Sequence, residues 1–319
     1  MKVLLTFDLK DKYIEKVKRE VPGVDIIRCP DIEDYGNKVQ GCEVMLTFSD
    51  INLEVIKNKA TDLRWIQTWV AGVESLVTPQ KVKWFRDNNI ILTTMSGIHG
   101  DVIAEHVTGM IISFSRKFKD FYRLQKQKKW ERLTVDRLKG KTLLVVGLGS
   151  IGREIAARGK AFKMNVTGIK RDTTRPVNNV DSLYTPDELL KALSEADYVV
   201  LSMPLTQETE NMFGYREFKE MKTDSYLINI ARGGVVREDD LIRALDEGLI
   251  AGAGLDVFTE EPLPPESPLY EMDNVIITPH VAGVYPEYNE EAIEIFIKNL
   301  KRYQKGEDLI NRVNYSRGY

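Results

Sequence analysis

The sequence is poor in cysteine and histidine, and this excludes several kinds of site. Its two cysteines, Cys29 and Cys42, are too few for a disulfide framework. With three histidines in the whole chain, no Cys/His cluster has the spacing of metal ligands, so we expect no metal centre. We interpret both cysteines as small buried apolar residues.

An excess of positive charge and long apolar runs are also missing. Lys and Arg number 45 against 48 Asp and Glu, a net charge of -3, which leaves no basic surface for a nucleic-acid backbone. The apolar run near the N-terminus ends at Asp8 and is too short for a signal sequence. No segment approaches the roughly 18 apolar residues of a membrane span. We therefore expect a cytoplasmic protein that binds neither nucleic acid nor membrane.

The length and a repeated pattern predict two domains. The chain of 319 residues is about twice as long as a domain of ~150 residues. Short runs of Val, Ile and Leu alternate with longer helical patterns, which is typical of parallel sheets covered on both faces. The pattern occurs twice and predicts an α/β fold with two doubly wound parallel-sheet domains. We expect residues 1–98 with 286–319 to form a substrate-binding, flavodoxin-like domain, and residues 99–285 a Rossmann dinucleotide-binding domain.

The predicted strands form two sets with a helical segment between them. The first set lies at residues 3–7, 25–28, 44–48, 65–68 and 90–93, and the second at 143–146, 165–169, 198–203, 226–230, 253–257 and 275–278. Six strands suit a complete dinucleotide-binding sheet. Helical spacing predicts a helix over 101–122 after a hinge at 96–100, and a final helix over 290–303 that returns to the first domain.

A glycine-rich loop follows the first strand of the second set. The loop Gly147-Leu148-Gly149-Ser150-Ile151-Gly152 fits G-x-G-x-x-G and opens a helical pattern. In this setting Gly147 permits a tight turn, and Gly149 lets the backbone approach a pyrophosphate that the amides of the helix would bind. A coincidental turn is the alternative, but the strand before the loop and the helix after it favour a dinucleotide site.

The residues after the next strand bear on the choice between NAD and NADP. An acidic side chain there would bind the ribose 2′-hydroxyl of NAD, whereas a cationic one would accept the 2′-phosphate of NADP. Alternation ends this strand at Ile169, so Lys170 and Arg171 take the diagnostic position and Asp172 follows. The sequence favours NADP. NAD stays possible if Lys170 and Arg171 form a solvated turn and Asp172 selects the cofactor.

Three further residues predict the chemistry. Reduction of a ketone needs a proton donor that works near neutral pH and a fixed positive charge that polarises the carbonyl. Arg232, Glu261 and His280 each follow a predicted strand, at the edge where open α/β sheets bind ligands. Taken singly, Arg232 could belong to a surface turn and Glu261 to a solvated pair with Glu260. Their common placement favours a catalytic set.

These segments resemble the D-isomer-specific 2-hydroxyacid dehydrogenases, a family that includes phosphoglycerate, glyoxylate and hydroxypyruvate enzymes. The resemblance covers nearly the whole chain and implies a hydride transfer between a nicotinamide cofactor and a small 2-keto acid or D-2-hydroxy acid. The matching segments are residues 140–152, 196–206, 229–234, 255–262 and 278–280.

The resemblance also implies a role for each residue. His280 would protonate the substrate oxygen, Glu261 would bind the other ring nitrogen of His280, and Arg232 would hold the keto oxygen and the carboxylate. Asp256 would meet the nicotinamide carboxamide, and the loop Val70-Ala71-Gly72 would offer backbone amides to the substrate carboxylate. The implied cofactor contacts are Gly147, Gly149, Ser150, Ile151, Gly152, Lys170, Arg171, Pro204, Thr209, Ala231, Arg232, Asp256 and His280. The implied assembly is a homodimer packed through the second domain.

Other interpretations remain open at this point. Transcriptional corepressors with this fold sense dinucleotides without turnover, but they carry extended tails. Formate dehydrogenases have Gln where Glu261 stands, whereas phosphite oxidation would keep all three catalytic residues. His106 is expected to be a core or interface histidine, and His99 to serve the hinge or to contact substrate or cofactor. Trp69 is expected either in the substrate pocket or in the core.

Overall fold

The computed structural model describes residues 1–318, apart from the side chains at positions 32 and 33, and it divides into two compact units. The first unit is Met1–Ile98 together with the chain from Tyr285 onward, and the second is His99–Val284. In the part of the chain that the structure describes, no helix is long and apolar enough to cross a bilayer.

The first unit contains a parallel sheet of five strands in the order β2-β1-β3-β4-β5. This order is that of flavodoxin-like folds. Two central strands are buried along their whole length because helices cover both faces of the sheet. The strands are β1 (Lys2–Leu5), β2 (Asp25–Arg28), β3 (Val44–Thr47), β4 (Trp65–Thr68) and β5 (Ile91–Thr93). The helices are α1 (Asp11–Glu20), α2 (Ile32–Lys38), α3 (Leu53–Ile56), α4 (Pro79–Asp87) and, at the end of the chain, α11 (Tyr288–Gln304).

The last helix belongs to the core of the first unit. Ala292, Ile293, Phe296 and Leu300 are buried in one cluster with strand residues such as Val3. At this face Asn299 is also buried, and its amide donates to the backbone of the segment that follows the helix. The predicted return of this helix to the first sheet is therefore confirmed.

The second unit contains a parallel sheet of seven strands in the order β12-β11-β10-β9-β6-β7-β8. The sequence predicted six, and that number is wrong. The extra strand, Ser182–Tyr184, is three residues long and half exposed at the edge of the sheet, so it has no periodicity to detect. The strands are β6 (Thr142–Val146), β7 (Asn165–Ile169), β8 (Ser182–Tyr184), β9 (Tyr198–Leu201), β10 (Tyr226–Asn229), β11 (Gly252–Leu255) and β12 (Val275–Ile277).

The helix predicted over 101–122 is two helices. The first ends at Ser115, and Lys117 then adopts a left-handed backbone with φ of 54°, which a continuous α-helix does not allow. No Gly or Pro lies at this break, and apolar residues continue at helical spacing across it. The sequence therefore predicted a single helix. The helices of this unit are α5 (Gly100–Ser115), α6 (Phe118–Lys126), α7 (Ser150–Ala161), α8 (Leu189–Glu195), α9 (Tyr215–Glu220) and α10 (Glu238–Asp246).

The strand order of the second unit creates a site for a ligand. From β6 the chain adds β7 and β8 on one side and then β9 to β12 on the other, so the order reverses between β6 and β9. All neighbouring strands are parallel, and their carboxyl ends share one edge. Open α/β sheets bind ligands in the crevice at such a switch point.

Candidate functional site

The glycine loop after β6 is built by close approaches that only glycine allows. Gly147 has φ of 99°, and an added Cβ there would lie 2.9 Å from the backbone nitrogen of Met203. A Cβ on Gly152 would lie 2.0 Å from the carbonyl oxygen of Gly147. These contacts press the start of α7 against the loop and against the residues after β9.

The same loop leaves space where a phosphate group would approach. A Cβ built on Gly149 meets no protein atom within 4 Å, and Gly149, the residue that caps α7, has no side chain to satisfy the first amides of the helix. Ser150 and Ile151 begin that helix. Because helix N-termini attract anions through free amides and the helix dipole, the residues present fit a dinucleotide pyrophosphate.

Two cations and one carboxylate follow β7, as the sequence predicted. The strand ends at Ile169, so Lys170 and Arg171 are the first two residues beyond it. Arg171 forms an ion pair with Glu208, a residue of the loop after β9. The carboxylate of Asp172 turns to Thr174, accepting from its amide at 3.0 Å and from its hydroxyl at 2.5 Å. These bonds hold the pKa of Asp172 below its ordinary value.

The loop after β9 is held by one threonine. The Thr209 hydroxyl donates to the carbonyl of Pro204 at 2.7 Å and accepts from the amide of Thr206 at 2.8 Å. Pro204 itself is exposed. The loop thus has a fixed shape on the side of the crevice opposite β7.

Arg232 lies directly after β10, in a loop that packs against the loop after β11. A Cβ on Gly233 would lie 1.9 Å from the carbonyl carbon and oxygen of Phe258, so only glycine fits between the two loops. Ala231, just before Arg232, is buried, and the guanidinium donates to its carbonyl oxygen at 2.7 Å. The packing of Gly233 against Phe258 brings the backbone of Arg232 next to the segment that carries Glu261.

Glu261 and His280 are paired. The distance between Nδ1 of His280 and Oε2 of Glu261 is 2.7 Å, and the other carboxylate oxygen accepts from the amide of Phe258 at 3.0 Å. His280 follows β12 and has a left-handed backbone with φ of 53°. Such a conformation is uncommon in a residue other than glycine, although histidine adopts it more often than most residues. The side chain of His280 is half exposed.

Asp256 is the residue that anchors the backbone around His280. It is 2% exposed, and its carbonyl oxygen accepts from the amide of His280 at 2.8 Å. Its carboxylate accepts from the amides of Val281 and Ala282 at 2.9 and 3.0 Å, and from the hydroxyl of Thr278 at 2.6 Å. The buried charge is therefore well compensated by donors.

The other two histidines also lie in the second unit. His106, on α5, is within hydrogen-bond distance of the Thr278 hydroxyl, at 3.0 Å from Nε2, in agreement with a satisfied core histidine. His99 is half buried, and an added Cβ on Gly283 would meet its ring at 3.1 Å. Burial, together with the positive charge of Arg232, lowers the pKa of His99. His99 is thereby kept neutral near pH 7.

The predicted carboxylate-binding loop lies in the first unit, after β4. The carbonyl of Val70 accepts from the amide of Met95 at 3.1 Å and from the hydroxyl of Thr68 at 2.6 Å, which fixes the start of the loop. Ala71 and Gly72 follow and are partly exposed. Trp69 is buried and donates to Asn289 at 2.9 Å, so it belongs to the core.

Sequence reasoning missed an exposed aromatic side chain beside this loop. Phe48, which follows β3, is 53% exposed, and its ring meets Phe7 edge to face at 5.9 Å between centroids. Phe7 in turn packs on Trp69 at 5.4 Å. A phenylalanine at the end of an apolar strand has the pattern of a core residue, so composition gave no signal of its exposure.

The arrangement has the parts of a dehydrogenase site, and comparison with known proteins agrees. The sequence model of the D-isomer specific 2-hydroxyacid dehydrogenase NAD binding domain matches residues 108–282. The chain belongs to this family. A glyoxylate reductase from Thermococcus litoralis is 32% identical over 329 residues, covering 98% of this chain and 96% of the relative.

Solved structures give the same result. A D-isomer specific 2-hydroxyacid dehydrogenase family protein from Aeromonas salmonicida superposes with a TM-score of 0.87 at 32% identity, covering 98% of this chain and 99% of the other. An NADPH-dependent glyoxylate/hydroxypyruvate reductase from Sinorhizobium meliloti, solved with NADP and sulfate, has a TM-score of 0.86 at 25% identity, covering 100% and 99%. The enzyme is a nicotinamide-dependent oxidoreductase that interconverts 2-keto acids and 2-hydroxy acids.

Proposed function

We propose that the enzyme reduces glyoxylate and similarly small 2-keto acids with NADPH, and that Arg232, Glu261 and His280 are its catalytic residues. The observation that carries the proposal is the pair formed by His280 and Glu261, 2.7 Å apart, beside the loop of Arg232 at the edge where β10, β11 and β12 end. Relatives named glyoxylate reductase support the choice of substrate.

We assign a task to each proposed catalytic residue, and the geometry of the pair supports the assignment. The carboxylate of Glu261 faces Nδ1 of His280, so Nδ1 carries a proton and Nε2 exchanges the reacting proton with the substrate oxygen. The bound nicotinamide supplies the hydride. As the keto carbon gains that hydride, His280 gives its proton to the keto oxygen, and Glu261 stabilises the imidazolium before the proton leaves. Oxidation of the hydroxy acid reverses these steps.

Arg232 supplies the fixed positive charge. A guanidinium stays protonated at every working pH and binds a carboxylate with two parallel hydrogen bonds. In the proposed complex it holds the substrate carboxylate and polarises the keto oxygen, while the amides of Val70, Ala71 and Gly72 add donors to the carboxylate.

The cofactor contacts follow from the crevice. Gly149 leaves space for the pyrophosphate at the start of α7, and the loop from Pro204 to Thr209 lines the other side. Ala231 lies next to Arg232 at the end of β10. The carboxylate of Asp256 accepts three hydrogen bonds from the chain, and a carboxylate offers about four acceptor positions. One position is thus left for the nicotinamide carboxamide.

The preference for NADPH rests on Lys170 and Arg171. Both follow the end of β7, where a 2′-phosphate would lie, and Asp172 is engaged by Thr174. The Sinorhizobium meliloti relative was solved with NADP. Binding of NAD would favour an acidic side chain that bonds the ribose hydroxyls. The carboxylate of Asp172 instead accepts from the amide and the hydroxyl of Thr174.

The proposed assembly is a homodimer packed through the second unit. Trp130 is 97% exposed, and Phe118 and Tyr122 on α6 are also exposed. Exposed aromatic side chains of this kind are enriched at protein interfaces. Light scattering should give a mass near twice 36.5 kDa. Trp130→Ser should shift that mass to the monomer, whereas Phe162→Ser, which removes another exposed aromatic ring of this unit, should not. A monomeric wild-type protein would refute the dimer.

A kinetic panel tests the proposed function. Purified enzyme is mixed with NADPH or NADH and with glyoxylate, hydroxypyruvate, pyruvate or a larger 2-keto acid, and nicotinamide absorbance is followed. We expect the highest kcat/KM with NADPH and glyoxylate or hydroxypyruvate. In parallel, phosphite and formate are offered with NAD and NADP, and we expect no reduction of either cofactor. If no keto acid consumes NADPH, the proposal is wrong.

A further inference from the structure

Three side chains from three elements form a hydrogen-bonded chain behind the catalytic histidine. His106 lies in the middle of α5, Thr278 directly after β12, and Asp256 directly after β11. Nε2 of His106 is 3.0 Å from the hydroxyl oxygen of Thr278, and that oxygen is 2.6 Å from Oδ1 of Asp256. His106 itself is 3.8 Å from the same carboxylate oxygen, too far for a hydrogen bond, so its hydrogen-bonded link to Asp256 runs through Thr278.

The protons in this chain have one consistent arrangement. The Asp256 carboxylate also accepts from the amides of Val281 and Ala282, and an ionised carboxylate has no proton to give. The single hydroxyl proton of Thr278 must therefore point to Asp256. The Thr278 oxygen is left as an acceptor, and Nε2 of His106 must be the donor.

The chain ends at the backbone of His280. Asp256 accepts from the amide of His280 with its carbonyl oxygen and from the next two amides with its carboxylate. Those bonds hold His280 in its left-handed conformation, with φ of 53°. The Asp256 carboxylate thus holds the two residues after His280, and one of its oxygens also accepts from the hydroxyl of Thr278, which lies within hydrogen-bond distance of His106.

We infer that His106 is a positioning residue of the reductase site, which acts through Thr278 and Asp256 on the backbone that carries His280. Without the N–H of His106, the Thr278 oxygen loses its donor, and the hydroxyl that donates to Asp256 is less firmly oriented. The inference rests on the proposed role of His280, but the arrangement of protons stands apart from any turnover.

The arrangement is tested first in the cofactor-free protein. The chain has three histidines, so ¹⁵N spectra of the imidazole nitrogens are assignable with His99→Gln and His106→Gln variants. We expect His106 as the tautomer with its proton on Nε2, and we expect Thr278→Val to shift its Nε2 resonance. A proton on Nδ1 with a bare Nε2 would overturn the inference even if the enzyme reduces 2-keto acids.

The positioning role is tested by paired variants. His106→Ala removes the donor, whereas the amide of His106→Gln places an N–H at a similar reach. We expect His106→Ala to lower kcat about tenfold, with the KM for cofactor nearly unchanged, and His106→Gln to restore most of the rate. The His280 resonances should move in the alanine variant and much less in the glutamine variant. Glu105→Ala, an exposed change on the same helix, controls for helix stability.

A double-mutant cycle separates positioning from simple packing. If His106 acts only through Thr278, adding His106→Ala to Thr278→Val should lower kcat no further than Thr278→Val alone. Thr278→Ser, which keeps the hydroxyl, should stay near wild type. Additive losses, or equal losses in the Ala and Gln variants of His106, would overturn the inference. If the wild-type enzyme reduces no 2-keto acid, the proposed function is wrong. The NMR experiment then still tests the arrangement of protons in His106 and Thr278, because it does not depend on turnover.

Discussion

Nδ1 of His280 lies 2.7 Å from Oε2 of Glu261, and this bond joins the loops after two adjacent strands, β12 and β11. Glu261 thereby fixes the imidazole of His280, because Glu261 is itself held by the amide of Phe258. The bond occupies Nδ1 of His280, and in the proposed mechanism Nε2 is the atom that exchanges a proton with the substrate. Its ionic character is therefore the first property to test.

Replacing Glu261 by Gln keeps the shape of the side chain and removes its charge. The imidazolium of His280 then loses a charge-assisted hydrogen bond, which is about twice as strong as a neutral one. We expect kcat for keto-acid reduction to fall by about tenfold or more, with cofactor affinity preserved. Steady-state kinetics check the first, and fluorescence titration of NADPH checks the second. A wild-type kcat in this variant would show that the charge of Glu261 does not contribute to catalysis.

Replacing Gly233 by Ala tests the contact that brings Arg232 to the site. The new Cβ would lie 1.9 Å from the backbone of Phe258, so the loops after β10 and β11 must separate at a cost of ~1–3 kcal/mol. We expect a lower melting temperature and a large loss of kcat/KM. Gly234→Ala is the matched control, because its Cβ would meet only the flexible tip of Leu205 at 3.2 Å. Equal melting temperatures and equal kcat/KM values in the two variants would show that the contact between Gly233 and Phe258 does not position Arg232.

Replacing Lys170 and Arg171 together by Gln tests the cofactor preference. Loss of charge-assisted bonds to a 2′-phosphate should weaken NADPH by roughly 10–100-fold and leave NADH nearly unchanged. Dissociation constants for both cofactors measure this directly. Asp172→Asn serves as the control and should change neither constant much. An equal loss of both cofactors in the double variant, or a selective loss of NADH in Asp172→Asn, would make Asp172 the selecting residue.

The stability of the first unit should depend on pH through Glu290. Its hydrogen bonds with Lys12, 2.7 Å away, and with Tyr13 lower the pKa of Glu290 to about 2 from an ordinary 4.5. Because the folded pKa is the lower one, this stabilisation is complete above about pH 4.5 and is lost as the pH falls toward 2. Melting temperatures across that range should fall more steeply for wild type than for Glu290→Gln. Parallel curves would contradict the assignment.

The fold class and the strand-end placement of the site residues followed from the sequence because both depend on local patterns. Buried parallel strands such as β6 are continuous apolar runs, and glycines mark the loop after it. The edge strand at Ser182–Tyr184 escaped prediction because three half-exposed residues carry no period. The end of α5 escaped because Lys117 adopts a left-handed backbone without Gly or Pro.

Contacts between distant segments were the other part that the sequence could not reveal. His106 and Thr278 are separated by 172 positions, and only the folded chain shows that they meet. The exposure of Phe48 likewise depends on how the surrounding segments pack in the folded chain. The sequence predicted types of residue at the edge of a sheet, whereas their hydrogen-bond partners depend on packing.

We propose that His280 delivers the proton while hydride reaches the keto carbon, and single-turnover reduction by His280→Gln tests this role most directly. Enzyme saturated with NADPH is mixed with glyoxylate, and the loss of nicotinamide absorbance gives the rate of hydride transfer. We expect a rate about 10²–10⁴-fold below wild type with an unchanged dissociation constant for NADPH. A wild-type rate in this variant would show that His280 is not the proton donor.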